Sequence, residues 1–312
     1  MAELLVTGAS GLLGANMVLE SASEHQVTAV YHSHPVNFNE TRTISADLSN
    51  RESALSVIQE EMPEWVVHCA GETNLDRCEV DVDRAFLLNR DMARWVAEAA
   101  WSIKARLIHI STDAIFDGKR RGCSEEDEAN PISIYGQSKL DGEVAVLSEH
   151  PEAMVVRTNF YGWNAIDKFS LAEWFLSKLE CGEECEGFSD VFVRILLVND
   201  LVSILLQMLE KRLSGIFHVL GGECISKYDF GVRVAEVFGF NPSTIRPISV
   251  DQLGLDAPRS KDLCLSTEKI RDRLNLTLPS IDEGLQRFSA LRESGYSERL
   301  KEYAGGLRHE EN

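Results

Sequence analysis

"TGASGLLG", residues 7–14, decides the fold. It follows the apolar run "ELLV" (3–6) and opens an amphipathic stretch that reads as a helix over 11–23. Gly8, Gly11 and Gly14 fall where the chain turns from strand to helix, in the spacing G-x-x-G-x-x-G. Glycines there permit a tight turn and a close approach of backbone N–H groups to a phosphate at the helix N-terminus. A strand before and a helix after is the context a dinucleotide-binding loop requires. Ser10, Leu12 and Leu13, between the glycines, belong to the same expected site.

Outward from this loop the pattern repeats. Strands are expected at 26–31, 43–46, 65–70, 106–112 and 153–158, with helices at 51–62, 82–101 and 133–149 between them. Runs apolar on both faces, separated by helices, predict a doubly wound parallel sheet covered on both sides. After about residue 160 the rhythm changes. Helices at 169–180 and 199–212, an acidic loop "CGEECEGFSD" (181–190), a strand at 215–220, a helix capped by Ser226, a strand at 243–249 and a helix over 266–274 capped by Ser266 or Thr267 are expected. The tail "EYAGGLRHEEN" (302–312) is polar and expected to fray.

Composition narrows the function. The 312 residues carry 50 acidic against 31 basic side chains, a net charge of −19, which argues against nucleic acid or an anionic membrane as partner. There is no apolar stretch of membrane-spanning length and no signal-like segment at the start, so a cytoplasmic protein is expected. The seven cysteines are odd in number and irregularly spaced, and read as reduced thiols. Cys181 and Cys185 are the one close pair, and nothing nearby completes four metal ligands, so no metal is expected.

"NPISIYGQSKLDGE" (130–143) places Tyr135 and Lys139 four apart, on one face of a helix. Reduction of a ketone needs a hydride for carbon and a proton for the developing alkoxide. A tyrosine supplies the proton, and a lysine close by is expected to lower its pKa. With the glycine loop, this pair resembles the extended branch of the short-chain dehydrogenase/reductase superfamily. "ADLSN" (46–50), "HCAGETNLDRCE" (68–79), "ISTDAIFDG" (110–118), "RTNFYG" (157–162) and "RSKDLCLSTEKI" (259–270) follow in order. The set is similar to the dTDP-4-dehydrorhamnose reductase family over nearly the whole chain, and the methionine adenosyltransferase regulatory β subunit resembles that family too.

The resemblance implies an α/β fold: a Rossmann-type domain over 1–162, completed by elements from about 190–220, and a smaller α/β substrate domain over 163–312. It implies Thr112, Tyr135 and Lys139 as the catalytic set, with Thr112 rather than Ser111 orienting the carbonyl. Asp47 and Leu48 match adenine contacts, although Asp47 also suits a cap for the following helix. Ala70 and Gly71 lie beside the cofactor, and Thr73, Leu75, Asp113 and Arg259 on the substrate side. Arg259 is expected at a pyrophosphate. Asn89 is expected to brace the catalytic loop, Arg157 to be buried support, and Asp76 to pair with Arg77.

His32 and Ser33 end the second strand without a carboxylate for a ribose 2′-hydroxyl, which favours NADP(H) over NAD(H). Ala114, "FVRIL" (192–196) and "RSKD" (259–262) depart from the family's pattern, all on the substrate side. The resemblance therefore implies a reductase of a nucleotide-activated 4-keto-6-deoxysugar. A nucleotide-sugar epimerase and an NADP-binding regulatory subunit without turnover are the alternatives, and a homodimer is implied by family analogy alone.

Overall fold

The structure, a computed structural model, describes residues 1–39 and 41–305. The chain begins β1 (Glu3–Thr7), α1 (Leu12–Ser21), β2 (Gln26–Tyr31), β3 (Arg42–Ser45), α2 (Arg51–Glu61) and β4 (Trp65–His68). It continues α3 (Leu75–Val80), α4 (Val82–Phe86), α5 (Met92–Ser102), β5 (Arg106–Thr112), α6 (Ile134–Glu149) and β6 (Met154–Thr158). Next come β7 (Phe160–Tyr161), α7 (Leu171–Glu180), β8 (Cys185–Phe188), β9 (Phe192–Val193), β10 (Leu196–Leu197), α8 (Val198–Glu210) and β11 (Gly215–His218). The remainder is β12 (Ile225–Ser226), α9 (Lys227–Val237), β13 (Ile245–Ile248), β14 (Asp262–Leu263), α10 (Glu268–Leu274), α11 (Ile281–Glu293) and α12 (Tyr296–Tyr303).

Seven strands form one parallel sheet in the order β11-β6-β5-β4-β1-β2-β3. The two-residue period sends neighbours to opposite layers. Leu4 and Val6 join the core beneath α1 and α8, while Leu5 joins Val66, Leu107 and Val155 beneath α2 and α5. Each fully buried side chain of this kind stabilises the fold by roughly 1.5–3 kcal/mol. The chain runs outward from β1 to β3, then returns to β4 on the other side of β1. That reversal opens a crevice at the carboxyl ends of the strands, where ligands of such sheets bind.

Local chemistry sets the element ends. Asn50, not Asp47, caps α2, accepting from the Ser53 N–H at 3.1 Å. Ser133 caps α6 by accepting from the Gly136 N–H at 3.1 Å, and Ser226 caps α9 as expected. Thr267 precedes α10 but makes no capping bond through its side chain; Ser266 Oγ accepts from the Glu268 N–H at 3.4 Å. The helix expected over 82–101 is interrupted by one widened turn, Leu87–Asp91, between α4 and α5. Asn89 sits in that turn, and such turns cluster at functional sites.

The second half departs further from expectation. Part of the acidic loop at 181–190 is strand β8, paired in parallel with β13. Two C-terminal helices, α11 and α12, have no counterpart in the sequence reading. Trp163 stacks on Phe288 of α11 at 4.1 Å, and Tyr296 of α12 donates to Asn16 Oδ1 at 2.9 Å. Residues 302–303 of the tail are helical, and its end, 306–312, lies outside the described residues.

The reading of all cysteines as reduced thiols is corrected. Cys224 and Cys264 form a disulfide with Cα atoms 5.6 Å apart. Strands β12 and β14 both pair with β9, so cysteines 40 residues apart in sequence flank the same small sheet. Cys69, Cys78, Cys123, Cys181 and Cys185 are free.

Candidate active site

The crevice widens into a cleft of about 1100 Å³, and every site residue expected from sequence lines it. Gly8, Ser10, Gly11, Leu12, Leu13 and Gly14 form one wall, and His32, Ser33, Asp47 and Leu48 the adjoining corner. Ala70, Gly71, Thr73 and Leu75 lie across the floor. Thr112 and Asp113 line the cleft from the end of β5, Tyr135 and Lys139 from α6, and Arg259 from the segment before β14.

The glycine loop is geometrically obligatory. Gly8 has φ +66°, and a Cβ there would lie 2.8 Å from the Ala70 nitrogen; one on Gly14 would lie 2.1 Å from the Gly8 oxygen. Gly11 caps α1 without any side-chain bond, and no acidic residue stands in the first turn. The first N–H groups of α1 therefore lack intrahelical acceptors and have no anion of their own. This donor-rich helix end suits the diphosphate of a dinucleotide.

The chemical end is assembled from β5 and α6. The Thr112 hydroxyl donates to Asp113 Oδ1 at 3.2 Å and accepts from the Ala114 N–H at 3.2 Å. Burial pushes the Tyr135 phenol up to about 12; a hydrogen bond with Thr112 pulls it down and the Asp113 charge pushes it up. The expected lowering by Lys139 is thus corrected. The Lys139 ammonium donates to the Ile110 carbonyl at 2.5 Å, and desolvation dominates the tyrosine. Burial also brings Lys139 down to about 8, opposed by the charges of Glu143 and Cys69. Asp113 is pushed up to about 6 by burial, against hydrogen bonds from Asn159 and Thr112 and the charge of Lys227.

Behind this layer the expected supports are in place. Ser111 donates to Glu143 at 2.5 Å, and Arg157 closes on the same carboxylate at 2.8 Å. Asn89 accepts from the Glu72 N–H at 3.0 Å and donates to the Glu72 carbonyl and to Ser138 Oγ. It ties the loop after β4 to the residue preceding Lys139.

One ion-pair expectation changes. Asp76 pairs with Arg259 at 3.0 Å rather than with Arg77, because the return of the chain after residue 256 lays Arg259 and the Ala257 N–H against α3. Asp47 accepts from the Ser49 N–H and hydroxyl, which hold its carboxyl low, with His32 3.9 Å away.

Sequence reasoning missed Asn159, Lys168, Lys227 and Arg84. Lys168 donates to Thr73 Oγ1 at 2.9 Å across the cleft. Arg84 of α4 lines the cleft close enough to Asp47 to lower its pKa, and makes no side-chain ion pair or hydrogen bond among the described residues. No local signal marks these positions; the fold alone brings them to the site. Cys224, Asp262 and Cys264 form the one metal-like cluster among the described residues, and its sulfurs are joined to each other.

A glycine loop at the switch point, with Thr112 at the end of β5 and Tyr135 and Lys139 on α6, defines an NAD(P)H-dependent oxidoreductase of the extended short-chain dehydrogenase/reductase type. The chain belongs to the RmlD substrate binding domain family, which matches residues 1–293. It is 30% identical over 290 residues to the probable low-salt glycan biosynthesis reductase Agl14 of Haloferax volcanii, covering 91% of this chain and 96% of that protein. It is 32% identical over 276 residues to methionine adenosyltransferase 2 subunit beta of Rattus norvegicus, covering 86% and 81%. The crystal structure of dTDP-4-dehydrorhamnose reductase from Bacillus anthracis in complex with NADP superposes with a TM-score of 0.82 at 29% identity, covering 93% and 99%. No helix of the described residues is long and apolar enough to cross a membrane.

Proposed function

We propose that the protein reduces the 4-keto group of a nucleotide-activated 6-deoxysugar. The observation that carries this reading is that Thr112, at the end of β5, and Tyr135 and Lys139, on α6, line the same cleft as the glycine loop. When bound, NAD(P)H supplies the hydride. Thr112 orients the ketone oxygen, and Tyr135 donates the proton that the alkoxide needs when hydride reaches C4. A phenol this far above neutrality stays protonated until the substrate asks for the proton. Lys139, whose ammonium the Ile110 carbonyl holds, binds the nicotinamide ribose.

The glycine loop holds the diphosphate, Asp47 and Leu48 the adenine, and Ala70 and Gly71 leave room beside the ring. Thr73, Leu75, Asp113 and Arg259 take the sugar nucleotide. The residues from about 163 onward serve as substrate domain, and 1–162 with about 190–220 as cofactor domain. NADP(H) is favoured over NAD(H), because His32 and Ser33 bring no carboxylate and the unpaired Arg84 adds positive charge to that corner. A cytoplasmic setting belongs to the same reading. The Cys224–Cys264 disulfide speaks against it, and counting free thiols in protein purified under alkylating conditions decides.

The 32% identity to a methionine adenosyltransferase β subunit supports a second reading, a dinucleotide-binding regulatory subunit without turnover. One experiment separates them: 4-keto-6-deoxy nucleotide sugars screened with NADPH and NADH by absorbance. Stoichiometric cofactor oxidation supports the reductase and excludes an epimerase. Binding of NADPH with no oxidation across the panel sinks it.

A further inference from the structure

Lys227 is a cation that stability alone does not account for. It opens α9, where its N–H donates to the Val191 carbonyl at 3.0 Å, and the Ser226 cap fixes the turn through the Asp229 N–H at 2.9 Å. Its backbone is therefore held rigidly. A lysine at this end faces the positive pole of the helix, the unfavourable placement for an ammonium. The side chain is half-buried and lines the cleft, with Nζ 5.8 Å from the centre of the Phe188 ring. Burial and the nearby Arg259 charge lower its pKa, while the Asp113 charge acts the other way.

The cations around it have carboxylate partners: Arg259 has Asp76, and Lys261 has Asp190 and Asp251. Asp113 is engaged by Thr112 and Asn159. Among the described residues the Lys227 ammonium makes no ion pair and donates no hydrogen bond. A partly desolvated, unpaired charge is costly to keep. In a chain of net charge −19, it also makes a local positive point inside a repelling field.

We infer that Lys227 binds an anionic oxygen of the sugar nucleotide, either a phosphate of its diphosphate or a carboxylate on its sugar, and selects substrates by that group. The inference rests on the nucleotide-sugar reading above; a C6 carboxylate at Lys227 would make that sugar a uronic acid in place of the 6-deoxysugar. It adds a recognition residue next to the catalytic end of the cleft, in the region where Ala114 departs from the family's pattern.

The test is calorimetric titration of NADPH-loaded wild type, Lys227→Met and Lys227→Arg with dTDP, UDP, UDP-glucose and UDP-glucuronic acid. If the diphosphate is the anion, Lys227→Met weakens the bound nucleotides and both sugars alike by about 10- to 100-fold. If a sugar carboxylate is the anion, wild type prefers UDP-glucuronic acid to UDP-glucose by a similar factor. Lys227→Met then erases that preference and leaves UDP unchanged. Lys227→Arg keeps binding in either case, and unchanged NADPH affinity shows that the variants fold. Lys227→Met binding every probe within twofold of wild type overturns the inference alone. Wild type binding none of the four removes the nucleotide-sugar reading, and the inference with it.

Discussion

Glu143→Gln perturbs the support of the site and its chemistry together. The Glu143 carboxylate accepts from Ser111 at 2.5 Å and from Arg157 Nε and Nη2 at 3.0 and 2.8 Å, with both ionic side chains at or below 4% exposure. A neutral amide leaves the buried guanidinium with His218 Nε2 at 3.3 Å and the Phe116 ring at 5.6 Å. Breaking one side of such a pair costs about 3–5 kcal/mol. At about 2–4 °C per kcal/mol, the melting temperature should fall by about 6–20 °C. Replacing both partners with apolar groups, Glu143→Leu with Arg157→Met, should recover most of the loss.

The second readout is catalytic. Glu143 lies one turn beyond Lys139 on α6, and its charge holds the Lys139 pKa up against burial, at about 8. The alkaline fall in kcat/KM for reduction should therefore lie near pH 8 in wild type and move to lower pH in Glu143→Gln. Calorimetry and a pH–rate series check the two effects. A melting shift under about 2 °C would refute the assigned stabilisation, and an unmoved alkaline limb would refute the coupling to Lys139.

Two further outcomes follow from buried and unpaired groups. Burial holds His68 and His218 neutral, each down at about 3 from 6.5, so the folded chain refuses protons that the unfolded chain accepts. Their contribution is intact above pH 6.5 and declines towards pH 3, by about 1.4 kcal/mol per pH unit for each histidine. Asp113 and Asp200, pushed up to about 6, oppose this between pH 6 and 4, so the difference between proteins is the readout. Urea midpoints from pH 7 to 5 should fall less steeply for His68→Gln than for wild type; parallel slopes would contradict the assignment. Arg84→Ala should raise the NADPH dissociation constant about tenfold and leave that for NADH nearly unchanged. Equal loss of both cofactors would remove Arg84 from the 2′-phosphate.

The cofactor half was legible because its physics is local. A glycine turn between strand and helix, runs apolar on both faces, and Tyr135 one helical turn from Lys139 all announce themselves within a few residues. The second half was less so. Strand β8 lies in an acidic segment and exists through its pairing with β13, and α11 and α12 are held by contacts to Trp163 and Asn16 far back in the chain. The Cys224–Cys264 bond and the Asp76–Arg259 pair join residues 40 or more apart, and no spacing rule reaches them. The pKa of Tyr135 went the other way from expectation for a similar reason. Proximity of Lys139 was readable, but the extent of burial and the claim of the Ile110 carbonyl on that ammonium were not.

The central claim is that Tyr135 gives the proton in a hydride reduction. The most direct measurement compares NADPH oxidation by wild type and Tyr135→Phe on a 4-keto-6-deoxy nucleotide sugar, with NADPH affinity measured alongside. Wild type should oxidise NADPH stoichiometrically, and the variant should lose about 10²–10⁴-fold in kcat with NADPH binding retained. A variant turning over at close to the wild-type rate would contradict the claim.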